Sequence, residues 1–205
     1  INHPVFFVDE PHRYLAFIED MNSKSTLKKL HVPFALGFQR TINALRASNS
    51  KISNPLQARY WSMVPYQLGL GTDRQAVKYS ARPCSPHLDQ IPNKPSPNFL
   101  REALQNTLNK NDACMEFLIQ PRTSNKMLIE DSMTEWQETQ APFYQVATIH
   151  IPQQIFDTPE QNQFCENLSF TPWHSLPEHR PLGAINRLRK VIYENISLIR
   201  HEMNS

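Results

Sequence analysis

Seventeen prolines against four glycines constrain this 205-residue chain more than any other feature. Proline fixes φ near −65° and offers no backbone N–H, while scarce glycine leaves few places for a positive φ. Long, stiff connections are expected. Four of the prolines crowd into Ser85 to Pro97 (SPHLDQIPNKPSP), which has no apolar period and reads as an ordered loop or surface crossover. A second aromatic and proline-containing loop runs from Asn167 to His179.

Between these loops the periodicity marks regular elements. The short apolar run Pro4 to Val8 (PVFFV) reads as a buried strand, and Pro11 to Asp20 as a helix with Tyr14, Phe17 and Ile18 on one side. Within the polar stretch Ser23 to Ser53, Leu36, Phe38, Ile42 and Leu45 recur near the helical period, so a helix is expected there, ending around Ser48 to Asn54. Met63 to Leu68 and Ala76 to Arg82 read as a hairpin turning through residues 69 to 73. Phe99 to Lys110 has helical spacing, Met115 to Gln120 and Tyr144 to Ile151 are strand candidates, and a long helix begins at Leu182. The expected architecture is α+β, in one domain over residues 1–205, with a sheet of at least five strands. Neither an internal repeat nor an inter-domain linker interrupts it.

Composition narrows the function classes. With 40% hydrophobic and 20% charged residues the sequence is that of an ordinary soluble globular protein, and no apolar run approaches the roughly 20 residues of a membrane span. The net charge of +2 comes from 21 basic and 19 acidic residues that are scattered along the chain, which argues against nucleic-acid binding. Cys84, Cys114 and Cys165 lack metal-ligand spacing, and their odd number argues against a disulfide framework, so a reducing, cytoplasmic compartment is expected. No targeting segment is visible, and a sequence opening on Ile1 reads as a piece of something longer.

The residues that carry chemistry lie on the last helix. Arg189 and Tyr193 are four apart and Arg200 is seven further on, so all three project from one face, the first pair separated by about 6 Å of rise. A guanidinium beside a phenol favours its ionised form by roughly 1–3 pKa units, and a ferric iron would complete the ionisation. From spacing alone, an amphipathic helix with solvated arginines explains the pattern equally simply. The wider context adds a resemblance. ENLSFTP (Glu166 to Pro172), the loop to Pro181 and RKVIY (Arg189 to Tyr193) resemble the end of the haem-binding domain of catalases, and NHPVFFVDEPHRYLAFI (Asn2 to Ile18) resembles their distal segment. AVKYSARPC (Ala76 to Cys84) is similar to a strand of the family, particularly of its short branch of catalase-like peroxidases and allene oxide synthases.

That resemblance implies a catalase-like antiparallel β-barrel with surrounding helices and a C-terminal proximal helix. It implies haem b as cofactor, a peroxide as substrate, Tyr193 as the ligand of ferric iron, Arg189 as its charge partner and Arg200 as a contact for a haem propionate. Tyr14 falls where the family sets a ring against the porphyrin, Phe6 and Phe7 where it lines the distal channel; all three are equally natural as core. Asn2 takes the place of the distal amide after a one-residue shift. Ser80 and Gly183 occupy positions where catalases support the proximal arginine, so the proximal network is simpler here. The distal histidine lies upstream of the resembling region, so a missing N-terminal segment of the same protein is implied. His3, His174 and His179 are weak replacements. Proline-rich arms further imply a possible homo-oligomer. The rival expectation is a degenerate or truncated binding module of the same fold without haem.

Overall fold

The structure, a computed structural model, describes residues 1–27, 32–33, 36–48 and 51–204. Its centre is the strand β3 (Gln75–Pro83), paired antiparallel on one edge with the short β1 (Tyr60–Trp61) and β2 (Tyr66–Leu68). On its other edge lies β4 (Ala113–Pro121), which pairs in turn with β5 (Tyr144–Ile151), so the sheet has five strands. The order is β1-β3-β4-β5 with β2 beside β3, and among the described residues the sheet is open rather than closed into a barrel. Around it stand α1 (Pro11–Asn22), α2 (Phe38–Ser48), α3 (Phe99–Leu108), α4 (Pro159–Glu166) and the terminal α5 (Ala184–Asn204). The α+β architecture expected from the sequence, helices around an antiparallel sheet, is therefore present.

Register sorts the side chains. Because Tyr79 opposes Ile119 and Ala81 opposes Phe117, these four share one face with Val77, whereas Lys78, Ser80, Leu118 and Gln120 share the other. The second face is sealed by the stretch from Met127 to Ala141. Ala76, Met127, Trp136 and Ala141 form a buried cluster there, and the buried Gln120 donates from Nε2 to the carbonyls of Trp136 (2.7 Å) and Ala141 (2.9 Å). An amide whose two protons meet two loop carbonyls pins this 127–141 stretch, a strap over the sheet, without leaving the buried amide unpaired.

Lys78 belongs to this seal. Its side chain is 4% exposed, donates from Nζ to the Thr134 carbonyl (3.0 Å) and lies 5.1 Å from the centre of the Trp136 ring. Burial brings its ammonium down to about 8, against partial support from Glu135 and Asp131. The unfolded chain binds this proton up to about pH 10.5, so stability rises as pH climbs from about 8 towards 10. Denaturant titrations across that window should give a rise on the order of 2–3 kcal/mol that Lys78→Met abolishes.

Several elements differ from expectation. Pro4 to Val8 is buried at Val5 and Val8 but forms no strand; Phe6 N–H bonds to the Ser132 carbonyl (3.0 Å) and the Ser132 hydroxyl to the Val8 carbonyl (2.6 Å). Two bonds to a loop residue replace a ladder, a choice that an apolar run alone does not reveal. The expected strand Met63 to Leu68 shrinks to β2 because Met63 adopts φ 62° and Pro65 has no N–H to donate. Strands β1 and helix α4 were not expected; α4 starts where the Thr158 hydroxyl accepts from Gln161 N–H, a Thr-Pro-Glu helix start. Parts of the helix expected within Ser23 to Ser53 fall outside the described residues.

The expectation against disulfides is corrected. Cys84 and Cys114 are bonded, with Cα atoms 5.7 Å apart. They follow directly from the β3–β4 register, one step beyond the Pro83–Met115 pair, with Cys84 N–H on the Cys114 carbonyl. Thirty residues separate them, so counting cysteines could not pair them before the strands were aligned. The bond removes the basis for assigning a reducing, cytoplasmic compartment. No helix among the described residues is long and apolar enough to cross a membrane.

Candidate functional site

Helix α5 is anchored by its first turn. Buried Asn186 donates from Nδ2 to the carbonyls of Pro65 (3.1 Å) and Leu182 (2.9 Å), and the Trp173 indole donates to the Asn186 carbonyl (2.8 Å). Leu182 N–H also reaches Pro65, just before β2. The helix is thus fixed to the β2 end of the sheet, and one turn later it presents Arg189 and Tyr193. The Arg189 guanidinium carbon lies 5.8 Å from the centre of the Tyr193 ring, a cation–π arrangement.

Two further groups gather at this pair. Tyr66 stacks on Tyr79 (5.0 Å between ring centres), which continues to Phe117 (5.4 Å). Burial raises the Tyr66 phenol above its ordinary value, and the Arg189 charge pulls it back while Tyr193 adds to the rise. The backbone nitrogen of Ile1 lies within electrostatic reach of Arg189. Ile1 is fixed by its carbonyl accepting from Trp61 N–H (2.7 Å), so the segment carrying Asn2 sits beside the arginine of α5. The start of the described chain and the first half of α5 come together here. Tyr66 is the participant that sequence reasoning missed, because it looks like any aromatic in a strand until α5 is docked.

Tyr193, 37% exposed, borders a groove of about 360 Å³ between α5 and the segment around Phe170. Leu168, Phe170, Ile192 and Ile196 make it mostly apolar. Arg200 lines the same groove, but its Nη2 is bonded to the carbonyl and carboxylate of Glu166 (2.5 and 3.3 Å). A guanidinium on the last carbonyls of α4 acts as a cap for that helix. The other candidates turn elsewhere. Phe6, Phe7 and Tyr14 pack on one another at ring-centre distances of 4.8, 5.5 and 6.2 Å, against Val8 and Leu36. Ser80 lies on the opposite sheet face, donating to the Tyr60 carbonyl and accepting from Arg59 Nε. Among the described residues no group of three or more His, Cys, Asp or Glu side chains could hold a metal ion.

No family model and no curated protein sequence matches the chain. Solved structures do. A fungal catalase superposes with a TM-score of 0.74 at 16% identity over 97% of this chain and 43% of its own. Catalase A from Saccharomyces cerevisiae gives 0.71 at 16% identity, covering 97% and 45%, and a bacterial catalase 0.73 at 14% identity, covering 97% and 42%. The fold is catalase-like, and the chain spans less than half the length of each of these structures.

Proposed function

We propose, on the strength of the catalase-like fold, that this chain belongs to a peroxide-processing haem enzyme in which Tyr193 holds ferric iron. Hydrogen peroxide and organic hydroperoxides are the substrate class. The observation that carries the reading is the stacked Arg189–Tyr193 pair on a helix clamped to β2, with Tyr66 and the Asn2 segment gathered around it. The donor set suits haem b: one partly exposed phenol, one guanidinium that no carboxylate neutralises among the described residues, and an apolar groove alongside. When bound, such a group supplies an iron centre that an anionic oxygen ligand stabilises in high oxidation states.

The chain's own residues have distinct parts in this reading. Tyr193 would bind through its phenol oxygen, and Arg189 holds the ring by its cation–π contact and sets a positive charge beside the ligand. Phe170, Ile192 and Ile196 keep water from one side of the site. The Asn2 amide, held close by the Ile1–Trp61 bonds, orients the peroxide by hydrogen bonding. Arg200 is left as the cap of α4 rather than a propionate partner.

Closure of the sheet into a barrel is part of the proposal. Tyr144 to Ile151 pairs with β4 alone among the described residues and carries no Asp, Glu, Lys or Arg. Such an edge, with Tyr144 and Val146 more than half exposed, suits further strands from an N-terminal segment of the same protein that also brings a distal histidine. Association into a homo-oligomer through the 85–97 and 167–181 loops belongs to the same reading; sedimentation giving a strict monomer would remove it. A second reading, a haem-free binding module, is favoured by Phe6, Phe7 and Tyr14 packing on one another rather than lining a channel.

Arg189→Ala separates the two readings. In a haem enzyme it lowers haem occupancy and peroxide turnover by about tenfold, since the ligand loses a favourable charge on the order of 1–2 kcal/mol. In a haem-free module it leaves ligand-independent stability and the visible spectrum unchanged.

A further inference from the structure

We propose that the groove between the start of β3 and the 180–182 segment binds a phosphate-bearing small molecule. It has a volume of about 550 Å³ and is lined by Arg74, Arg122 and Arg180, with Ala76, Ile129 and Leu182 as its apolar wall. None of the three guanidinium groups has a carboxylate within 4.0 Å among the described residues. Arg122 donates only to neutral acceptors, from Nε to the Met127 carbonyl (2.7 Å) and from Nη2 to Asn125 Oδ1 (3.4 Å). The Arg180 side chain faces the Trp173 ring at 6.0 Å, and Arg74 has no hydrogen-bond partner among the described residues.

Of the nine arginines outside the groove, only Arg46 and Arg189 likewise lack a carboxylate within 4.0 Å among the described residues. Arg13, Arg40, Arg59, Arg82, Arg101, Arg187 and Arg200 each pair with a carboxylate. Even Glu130, next to the groove residue Ile129, is taken by both Nη atoms of Arg187 (3.2 and 2.7 Å). Three like charges around one groove repel, a cost that a bound anion reverses. The frame is fixed beforehand: Gln67 N–H bonds to the Arg180 carbonyl (2.8 Å), Pro181 bridges to Tyr66, and Arg122 N–H bonds to Ala76 (2.9 Å). The backbone of the groove then needs little further ordering, and the cost left to binding is that of the arginine side chains.

The chemistry of the ligand follows from charge and size. A monocarboxylate would leave two of three cations uncompensated, whereas a phosphoryl group carries about −1.5 to −2 charge and three acceptor oxygens, a match for forked guanidinium donors. The groove also exceeds an inorganic ion, and Ile129 and Leu182 give it a wall for an organic substituent. It shares no lining residue with the groove at Tyr193, so this inference stands apart from the haem reading.

Calorimetric titration of the full-length protein with phenyl phosphate, inorganic phosphate and benzoate, at constant and near-physiological ionic strength, tests it. Phenyl phosphate should bind roughly tenfold more tightly than either of the others, a difference of about 1.4 kcal/mol. Inorganic phosphate matching phenyl phosphate would identify the free ion as the ligand and overturn the organic ester. Arg74→Gln and Arg180→Gln, both at exposed positions, should each weaken phenyl phosphate about tenfold. Arg46→Gln, which removes the same charge from an exposed position on α2, should leave it unchanged. Equal weakening by all three variants, or equal binding of all three compounds, would reduce the groove to general surface charge and overturn the proposal.

Discussion

Gly183→Ala should destabilise the protein by about 3 kcal/mol, lowering the thermal midpoint by about 6–12 °C. Gly183 has φ +86° immediately before α5, and a methyl group there would stand 2.7 Å from the Ile129 carbonyl oxygen. The left-handed conformation costs an alanine roughly 1 kcal/mol, and the rest comes from pushing backbone away from backbone, which no rotamer change relieves. Gly71→Ala provides the comparison: its φ is +67°, but nothing lies within 4 Å of the added methyl. It should cost only the conformational part, about 1 kcal/mol. Because Gly183 lies against Ile129 at the clamped start of α5, the Ala variant should also disturb the Arg189–Tyr193 pair. Equal losses for the two glycine variants would show that the Ile129 contact yields easily and that the α5 start is not held as described.

The parts of the fold that repeat locally were legible in the sequence. Residues 76–82, 115–120 and 144–151 alternate or run apolar as strands do, and they became β3, β4 and β5; Leu182 onwards became α5 within two residues. What depended on a distant partner was not legible. PVFFV is apolar enough for a strand, yet its bonds go to Ser132, and nothing in the run specifies a partner so far along the chain. Cys84 and Cys114 became a pair only once β3 and β4 were in register. At the site, Arg189 and Tyr193 were visible because helical spacing of four is a local rule, whereas Tyr66 required the docking of α5 through Asn186. Arg200 shows the opposite error: it shares the face, but the last carbonyls of α4, an element not expected, claim its guanidinium.

Tyr193→Phe should have the largest functional effect. Phenylalanine keeps the ring that packs beside Arg189 and removes the hydroxyl, so folding should change by less than about 1 kcal/mol for a side chain 37% exposed. In the proposed enzyme, however, that hydroxyl is the anionic oxygen that holds iron. Its loss should cost most of the haem and at least about 10³-fold in peroxide turnover, because the proposed ligand to the iron is then gone. A variant that folds normally yet loses cofactor distinguishes a ligand from a packing residue, which a loss of activity alone does not.

The most direct measurement is the Soret absorbance of the full-length protein purified after haem reconstitution, wild type beside Tyr193→Phe, with folding followed by circular dichroism. The account predicts a strong band at one haem per chain in the wild type and a band reduced to background in a normally folded Tyr193→Phe variant. A wild type without a Soret band, or a variant whose band and peroxide turnover match those of the wild type, would contradict it.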